Sequence, residues 1–216
     1  MSSRTSAGRK GTVPDSDAPS RIAQRSRVAL LRAARRAFEN RGFHNTRITD
    51  ITTGARMAVG SFYTYFDSKE QIFEALVIDM ENKVYDAPER AIGGGATPMQ
   101  RIRATNEVYL LTYQRNAKFW AAIEEAALGG GKAREIQTKR HAESRDRTLR
   151  TLRVWQSRGI IRTDIDLEFA ASCLGAMTER CAYLWFVHGE PVEMPEAIDK
   201  LTEIWGLVLG LQDADA

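Results

Sequence analysis

Residues 46–70 read TRITDITTGARMAVGSFYTYFDSKE. Ile48 and Ile51 form an apolar pair over about Arg47–Gly54, which predicts a short helix with Thr46 as its N-cap. A break at Ala55–Ala58 precedes a second short helical piece, Val59–Tyr65, before Asp67-Ser68 interrupts. Ser68-Lys69-Glu70-Gln71 is a capping box that opens a longer helix with the stripe Phe73, Leu76, Val77, Met80 and Val84. Upstream, Leu30, Ala33, Ala34, Ala37 and Phe38 keep helical spacing from a start near Arg21. Arg32, Arg35, Arg36 and Glu39 take the other face, and Gly42 ends the helix. Two short helices across a tight break, packed on an amphipathic helix, make a helix-turn-helix arrangement, the motif spanning about 47–66.

The remaining chain continues in helices. Residues 1–20, rich in Ser, Gly, Pro and Arg, are expected to be a disordered tail. Residues 85–98, with Pro88 and Gly93-Gly94-Gly95, are expected to be a loop. Thr97-Pro98-Met99-Gln100 starts a helix to about Arg115, and another covers about Ala117–Leu128. A charged helix follows over about Lys132–Arg158, then an apolar one from the cap Asp166 to about His188, and a last one from Pro195 to about Leu211. The expected fold is all-α with about nine helices: an N-terminal three-helix helix-turn-helix domain over 21–84 and a C-terminal helical bundle over 99–216.

Composition narrows the class. The chain has 216 residues, 43% hydrophobic and 27% charged, which suits a packed core. Its longest apolar run, Cys181–Val187, is far short of the ~20 residues that span a membrane. No signal-like stretch opens it, so a cytoplasmic location is expected. Cys173 and Cys181 stand about 12 Å apart along one helix, beyond disulfide reach. No Cys/His cluster has zinc-site spacing, and neither metal nor cofactor is expected. Residues 21–69 hold ten Lys and Arg against three acids, a net +7, which leaves −4 for the rest of a chain of net +3. A basic block on an acidic remainder suits contact with a polyanion, or a solvated arginine face.

The residue chemistry of the motif suits double-stranded DNA. The second helix of such a motif enters the major groove. Gly60 lets it press close, Ser61 and Thr64 can exchange hydrogen bonds with base edges, and Val59 can meet a thymine methyl. Tyr63 and Tyr65 carry hydroxyls suited to phosphate oxygens, while Thr46, Arg47 and Lys69 open helices where phosphate is attracted.

The segment resembles the DNA-binding domain of TetR-family transcriptional regulators. The matches are Gly42-Phe43, Thr46, Ile51, Gly60-Ser61-Phe62-Tyr63-Thr64-Tyr65-Phe66 and Ser68-Lys69-Glu70, within about Arg21–Met80. Arg56 stands where the family's turn has glycine and Thr52 where it has alanine, and Ala58 lacks the usual capping hydroxyl. The turn is therefore expected to be reshaped, using Gly54.

The resemblance implies a homodimer on a pseudo-palindromic operator, most often as a repressor released by a small apolar or aromatic effector of unknown identity. A regulator without an effector is the alternative reading. It also implies that the last two helices pair between subunits. The expected interface residues are Cys173, Met177, Cys181, Leu184, Leu201, Trp205 and Val208, with Gly206 and Gly210 allowing close approach. Core packing within one chain is the competing reading. Effector-lining candidates are Tyr109, Tyr113, Phe119, Trp120, Glu124, Trp155 and Trp185, each of which also suits plain core packing. An enzyme is not expected: Glu124-Glu125 is the sole recruitable carboxylate pair, and Gly129-Gly130-Gly131-Lys132-Ala133 does not make a phosphate loop. A helical interaction module without DNA is the remaining rival.

Overall fold

A computed structural model describes residues 21–91 and 95–211. The expected tail over 1–20 lies outside the described residues. Among them are nine helices and no strand: α1 (Arg21–Asn45), α2 (Ile48–Ala55), α3 (Val59–Phe62), α4 (Lys69–Ala91), α5 (Pro98–Arg115), α6 (Ala117–Leu128), α7 (Gly131–Ser157), α8 (Leu167–Phe186) and α9 (Met194–Leu209).

Helix α1 buries Leu30, Ala33, Ala34 and Phe38 along one stripe. Gly42, at φ 74° and ψ 164°, bends the chain so that Phe43 also turns inward. Helix α2 starts one residue later than expected. The Arg47 N–H donates to Asp50 Oδ2 at 2.8 Å, so Asp50 and not Thr46 satisfies the helix start. Helix α3 is one turn long and stops at Phe62, where Tyr65 and Phe66 both return their N–H groups to the Phe62 carbonyl. That turn swings Phe66 back beside Phe62, at 5.8 Å between rings, and both rings are buried.

Helix α4 is longer than expected and passes through Pro88 to Ala91. The predicted loop over 85–98 is therefore cut back at its start. Proline gives up one backbone donor, but Ala87, Glu89, Arg90 and Ala91 are good helix formers that carry the helix over it. Thr97 caps α5 as the sequence suggests, its hydroxyl accepting from the Gln100 N–H at 3.2 Å. Asp166 caps α8 through the N–H groups of Glu168 and Phe169.

Helices α1–α3 and the start of α4 form the head, and α5–α9 form the bundle. One buried cluster runs through both, from Phe38, Phe43 and Phe73 to Phe119, Trp120 and Tyr113. Phe73 of α4 stacks edge-on against Phe38 at 5.5 Å and reaches Phe119 of α6 at 6.3 Å. A second cluster, with Ile102, Leu149, Leu152, Leu174 and Leu209, closes the far end of the bundle.

Candidate nucleic-acid interface and sensor cleft

The turn between α2 and α3 holds one strained residue. Arg56 sits at φ 58° and ψ 44°, the one non-glycine residue at positive φ among those described. Gly54 is not recruited, contrary to expectation. It stays inside α2, where an added Cβ would lie 3.3 Å from the Ala33 Cβ, so its small size serves the approach of α2 to α1. Thr52 is buried in α2, its hydroxyl turned back to the Thr49 carbonyl at 3.2 Å.

Around this turn the exposed groups form one face. Val59 is 43% and Tyr63 55% exposed; Gly60 and Thr64 are exposed; Ser61 and Tyr65 are half-buried. Phe62 and Phe66 hold the segment to the core, and the Arg27 guanidinium covers the Phe66 ring at 5.3 Å. An added Cβ at Gly60 meets nothing within 4 Å, so nothing in the chain's own packing requires glycine there. Arg47 and Arg56 are exposed at the two ends of α2.

Two of the expected phosphate contacts bond within the chain itself. Thr46 is buried, and its hydroxyl donates to the Gly42 carbonyl at 2.7 Å, so it ties the α1 bend to the α2 start. Lys69 turns its ammonium inward onto the carbonyls of Phe43 at 2.8 Å and Thr46 at 3.0 Å, over the Phe43 ring. Burial lowers its pKa. Its three donors cap the end of α1, where carbonyls lack helical partners, and are spent within the chain.

In the bundle, most of the expected effector-lining aromatics prove to be core. Tyr113 and Trp120 stack at 4.8 Å with Phe119 buried beside them, Trp155 packs on the far cluster, and Trp185 borders a shallow depression beside α9. Tyr109 alone of the seven lines the main cleft, a 420 Å³ space between α5, α7 and α8 that reaches Trp205 of α9. Its wall includes Thr105, Asn106, Ser144, Thr148 and Ser172.

Arg140, His141 and Glu179 on the cleft wall belong to a charged cluster in which neither Arg140 nor His141 stood out from the sequence. Arg140 is 5% exposed and bonded to Glu179, to Gln137 Oε1 at 2.8 Å and to His141, with Glu81 at 3.8 Å. Its guanidinium covers the Trp120 ring at 5.0 Å. Burial works to raise the Glu179 carboxyl, but bonds from His141 and Arg140 outweigh it and hold the group at about 2. Glu124, half-buried, accepts from Gln137 Nε2 at 2.6 Å, and burial together with Glu179 pushes its pKa up. The Tyr113 hydroxyl and Trp120 Nε1 are buried without a hydrogen-bond partner. A signal existed: Ala133, Ile136, Gln137 and Arg140 fall at i, i+3, i+4 and i+7, which puts two polar residues on α7's buried stripe.

Glu124 and Glu125 do not form a carboxylate pair. Glu124 turns to Gln137, while the Glu125 carboxylate lies where a Cβ on Gly42 would fall, as neighbours on a helix face different ways.

The family model described as bacterial regulatory proteins, tetR family, matches residues 30–76, which covers the head. A relative in Bacillus subtilis, the uncharacterized HTH-type transcriptional regulator YdgC, is 26% identical over 185 residues, 85% of this chain and 93% of that one. The HTH-type transcriptional regulator EthR of Mycolicibacterium smegmatis is 24% identical over 94% of this chain and 91% of its own length. The fold matches that of Salmonella enterica GusR with a TM-score of 0.71 at 22% identity, over 86% of this chain and 95% of that one.

The head is a TetR-family domain. The chain is a DNA-binding transcriptional regulator, its relatives being regulators and not enzymes. No described helix of it is long and apolar enough to cross a membrane.

The last two helices of the regulator are only partly free to meet a second copy. Leu201 is 3% exposed in the chain's own core. Trp205 faces the cleft and donates from Nε1 to Thr178 Oγ1 at 3.2 Å. Met177 packs inward, and Gly206 is taken up by Met99, whose Sδ an added Cβ would meet at 2.8 Å. Gly210 likewise faces Arg162 of the same chain. Cys173 and Val208 are exposed, and Cys181 and Leu184 are half-buried. Sequence reasoning missed the two most exposed apolar groups of α8 and α9, Phe169 at 70% and Leu207 at 69%.

Proposed function

We propose that this regulator is a cytoplasmic repressor without enzymatic activity. Two copies hold a pseudo-palindromic operator, and a small molecule entering the cleft releases them. The observation that carries the DNA-contact reading is the outward set Val59, Gly60, Tyr63 and Thr64 on a segment anchored by Phe62 and Phe66. Ser61 and Thr64 read base edges, Val59 meets a thymine methyl, and Gly60 allows close approach. Tyr63, Tyr65 and Arg47 hold phosphates. One such head reads few base pairs, so a pair spaced one duplex turn apart is the economical solution. Exposed Phe169, Cys173, Ile204, Leu207 and Val208 support pairing through α8 and α9.

The cleft supports an effector somewhat different from a purely apolar one. Its volume suits a small molecule. Tyr109 and Trp205 offer aromatic surface, but Thr105, Asn106, Thr148 and Ser172 offer polar groups, which favours a molecule with an apolar body and several hydrogen-bonding atoms. The signal has a short route to DNA. Helix α6 touches the head through Arg35 to Asn116 Oδ1 at 2.6 Å and His44 Nε2 to the Ala126 carbonyl at 3.1 Å. An effector that favours one placement of α6 over another changes the spacing of the two heads.

Gel retardation of a random-sequence duplex at low and moderate salt tests the DNA reading, followed by selection of bound duplexes from a random pool. Salt-sensitive retardation and recovery of a two-fold symmetric sequence with half-sites one turn apart are expected. Recovery of no symmetric sequence defeats the paired-head arrangement.

A further inference from the structure

Three side chains from three helices bring ligand atoms together beside the cleft, two of them, His141 and Glu179, on its wall. Glu124 of α6, His141 of α7 and Glu179 of α8 each offer one atom, and all three atoms lie within 4.8 Å of one another. We propose that Glu124, His141 and Glu179 form a site for a divalent transition-metal ion of the zinc class.

The arrangement of the two carboxylates carries the argument. Glu179 uses Oε1 to hold Arg140 and turns Oε2 toward His141 Nε2, at 3.3 Å. Glu124 accepts from Gln137 on Oε1, which leaves Oε2. Each carboxylate is thus fixed by a partner on one oxygen and presents the other, the pattern in which outer groups orient metal ligands. Arg140 and Gln137 are buried and themselves hydrogen-bonded to each other, so this outer layer is built into the fold. Bonds of about 2.0–2.2 Å from zinc to nitrogen and oxygen place ligand atoms roughly 3–4 Å apart, so small side-chain rotations close the set.

Charge and an orphaned donor point the same way. Glu81, Glu124 and Glu179 set three carboxylates against the guanidiniums of Arg140 and Arg147. The Tyr113 hydroxyl is buried nearby without a hydrogen-bond partner. Arg140 also reaches His141 Nε2, and on binding it gives up that bond while keeping those to Glu179 and Gln137. One imidazole and two carboxylates suit a borderline ion better than calcium or magnesium, which prefer all-oxygen shells. His141 is 49% exposed and borders the cleft, which supplies the entry path.

The test uses the full chain, stripped with a chelator and titrated with zinc chloride by calorimetry, and with cobalt chloride by visible absorption. One ion per chain is expected, with a cobalt spectrum of low coordination number. His141→Ala and Glu124→Gln are each expected to weaken zinc binding at least tenfold while far-ultraviolet circular dichroism stays that of the parent. Binding that survives both variants undiminished places the ion elsewhere and overturns the proposal, as does absence of binding to the parent chain. Retardation of a duplex on the same preparation separates the readings: a chain that retards DNA but takes up no zinc loses this site alone.

Discussion

Gly60 separates what the fold needs from what a partner needs. A Cβ there enters open space, so Gly60→Ala is expected to keep or raise stability, by up to about 1 kcal/mol, because alanine loses less backbone entropy in a helix. The same methyl stands between α3 and the groove floor, so affinity for the selected operator falls. Thermal melting and gel retardation on one preparation read both signs, and unchanged affinity removes Gly60 from the contact face. Arg56 gives a second opposed pair. Its left-handed conformation costs about 1–2 kcal/mol, so Arg56→Gly stabilises the chain by up to about 1 kcal/mol after glycine's own entropy is counted. If the exposed guanidinium meets a phosphate, the variant also lowers the salt dependence of binding by about one contact. Lys69 behaves in the reverse way. Lys69→Met keeps the stem but strands the Phe43 and Thr46 carbonyls, for a loss of roughly 1–3 kcal/mol in urea melts with no change in salt slope. A flatter slope in that variant restores Lys69 as a phosphate contact.

At the level of elements, the seam between α1 and α6 joins head to sensor as closely as α4 does. Gly42 faces Glu125, His44 bonds the Ala126 carbonyl, and Arg35 bonds Asn116 while lying over the Phe119 ring at 5.3 Å. Gly42→Ala is expected to destabilise through its positive φ, which with ψ 164° is a backbone region essentially confined to glycine, by about 1–3 kcal/mol, more than through the clash, since the Glu125 carboxylate is the movable end of an exposed side chain. Adding Glu125→Ala then restores little; a full rescue in the double variant shows that the contact, and not the backbone angle, governs the seam. Helices announce themselves through local spacing, which is why α5 through α9 and their caps were legible from Thr97, Asp166 and Pro195. The contacts between them were not. Lys69 reads as a surface lysine until Phe43 and Thr46 are brought beneath it, and Glu124, His141 and Glu179 come from three helices with no common spacing. Aromatic residues misled in the opposite direction. Tyr113, Phe119 and Trp120 look like a binding wall, but one core joins head and bundle and uses their bulk to fill it.

Across the whole molecule, charge and exposed apolar surface divide the labour. The +7 of residues 21–69 lies in the head, the offsetting −4 lies in α4 over residues 70–91, and the bundle helices that follow are nearly neutral. Affinity for DNA then depends on how many heads bind at once. Each phosphate neutralised contributes about −0.9 to the slope of log affinity against log salt, so a paired molecule has about twice the slope of a single one. Leu207, 69% exposed on α9, adds little to the stability of its own chain, and an acid there meets water in a monomer but an apolar partner in a dimer. Leu207→Glu is therefore expected to melt like the parent, to sediment as a monomer, and to bind the selected operator with about half the salt slope and far lower affinity. Phe169→Glu, 70% exposed on α8, tests the neighbouring helix of the same proposed interface. If both variants sediment as dimers and keep the parent's slope, the two heads are joined through another surface, and the half-buried Cys181 and Leu184 are then packing residues of a single chain.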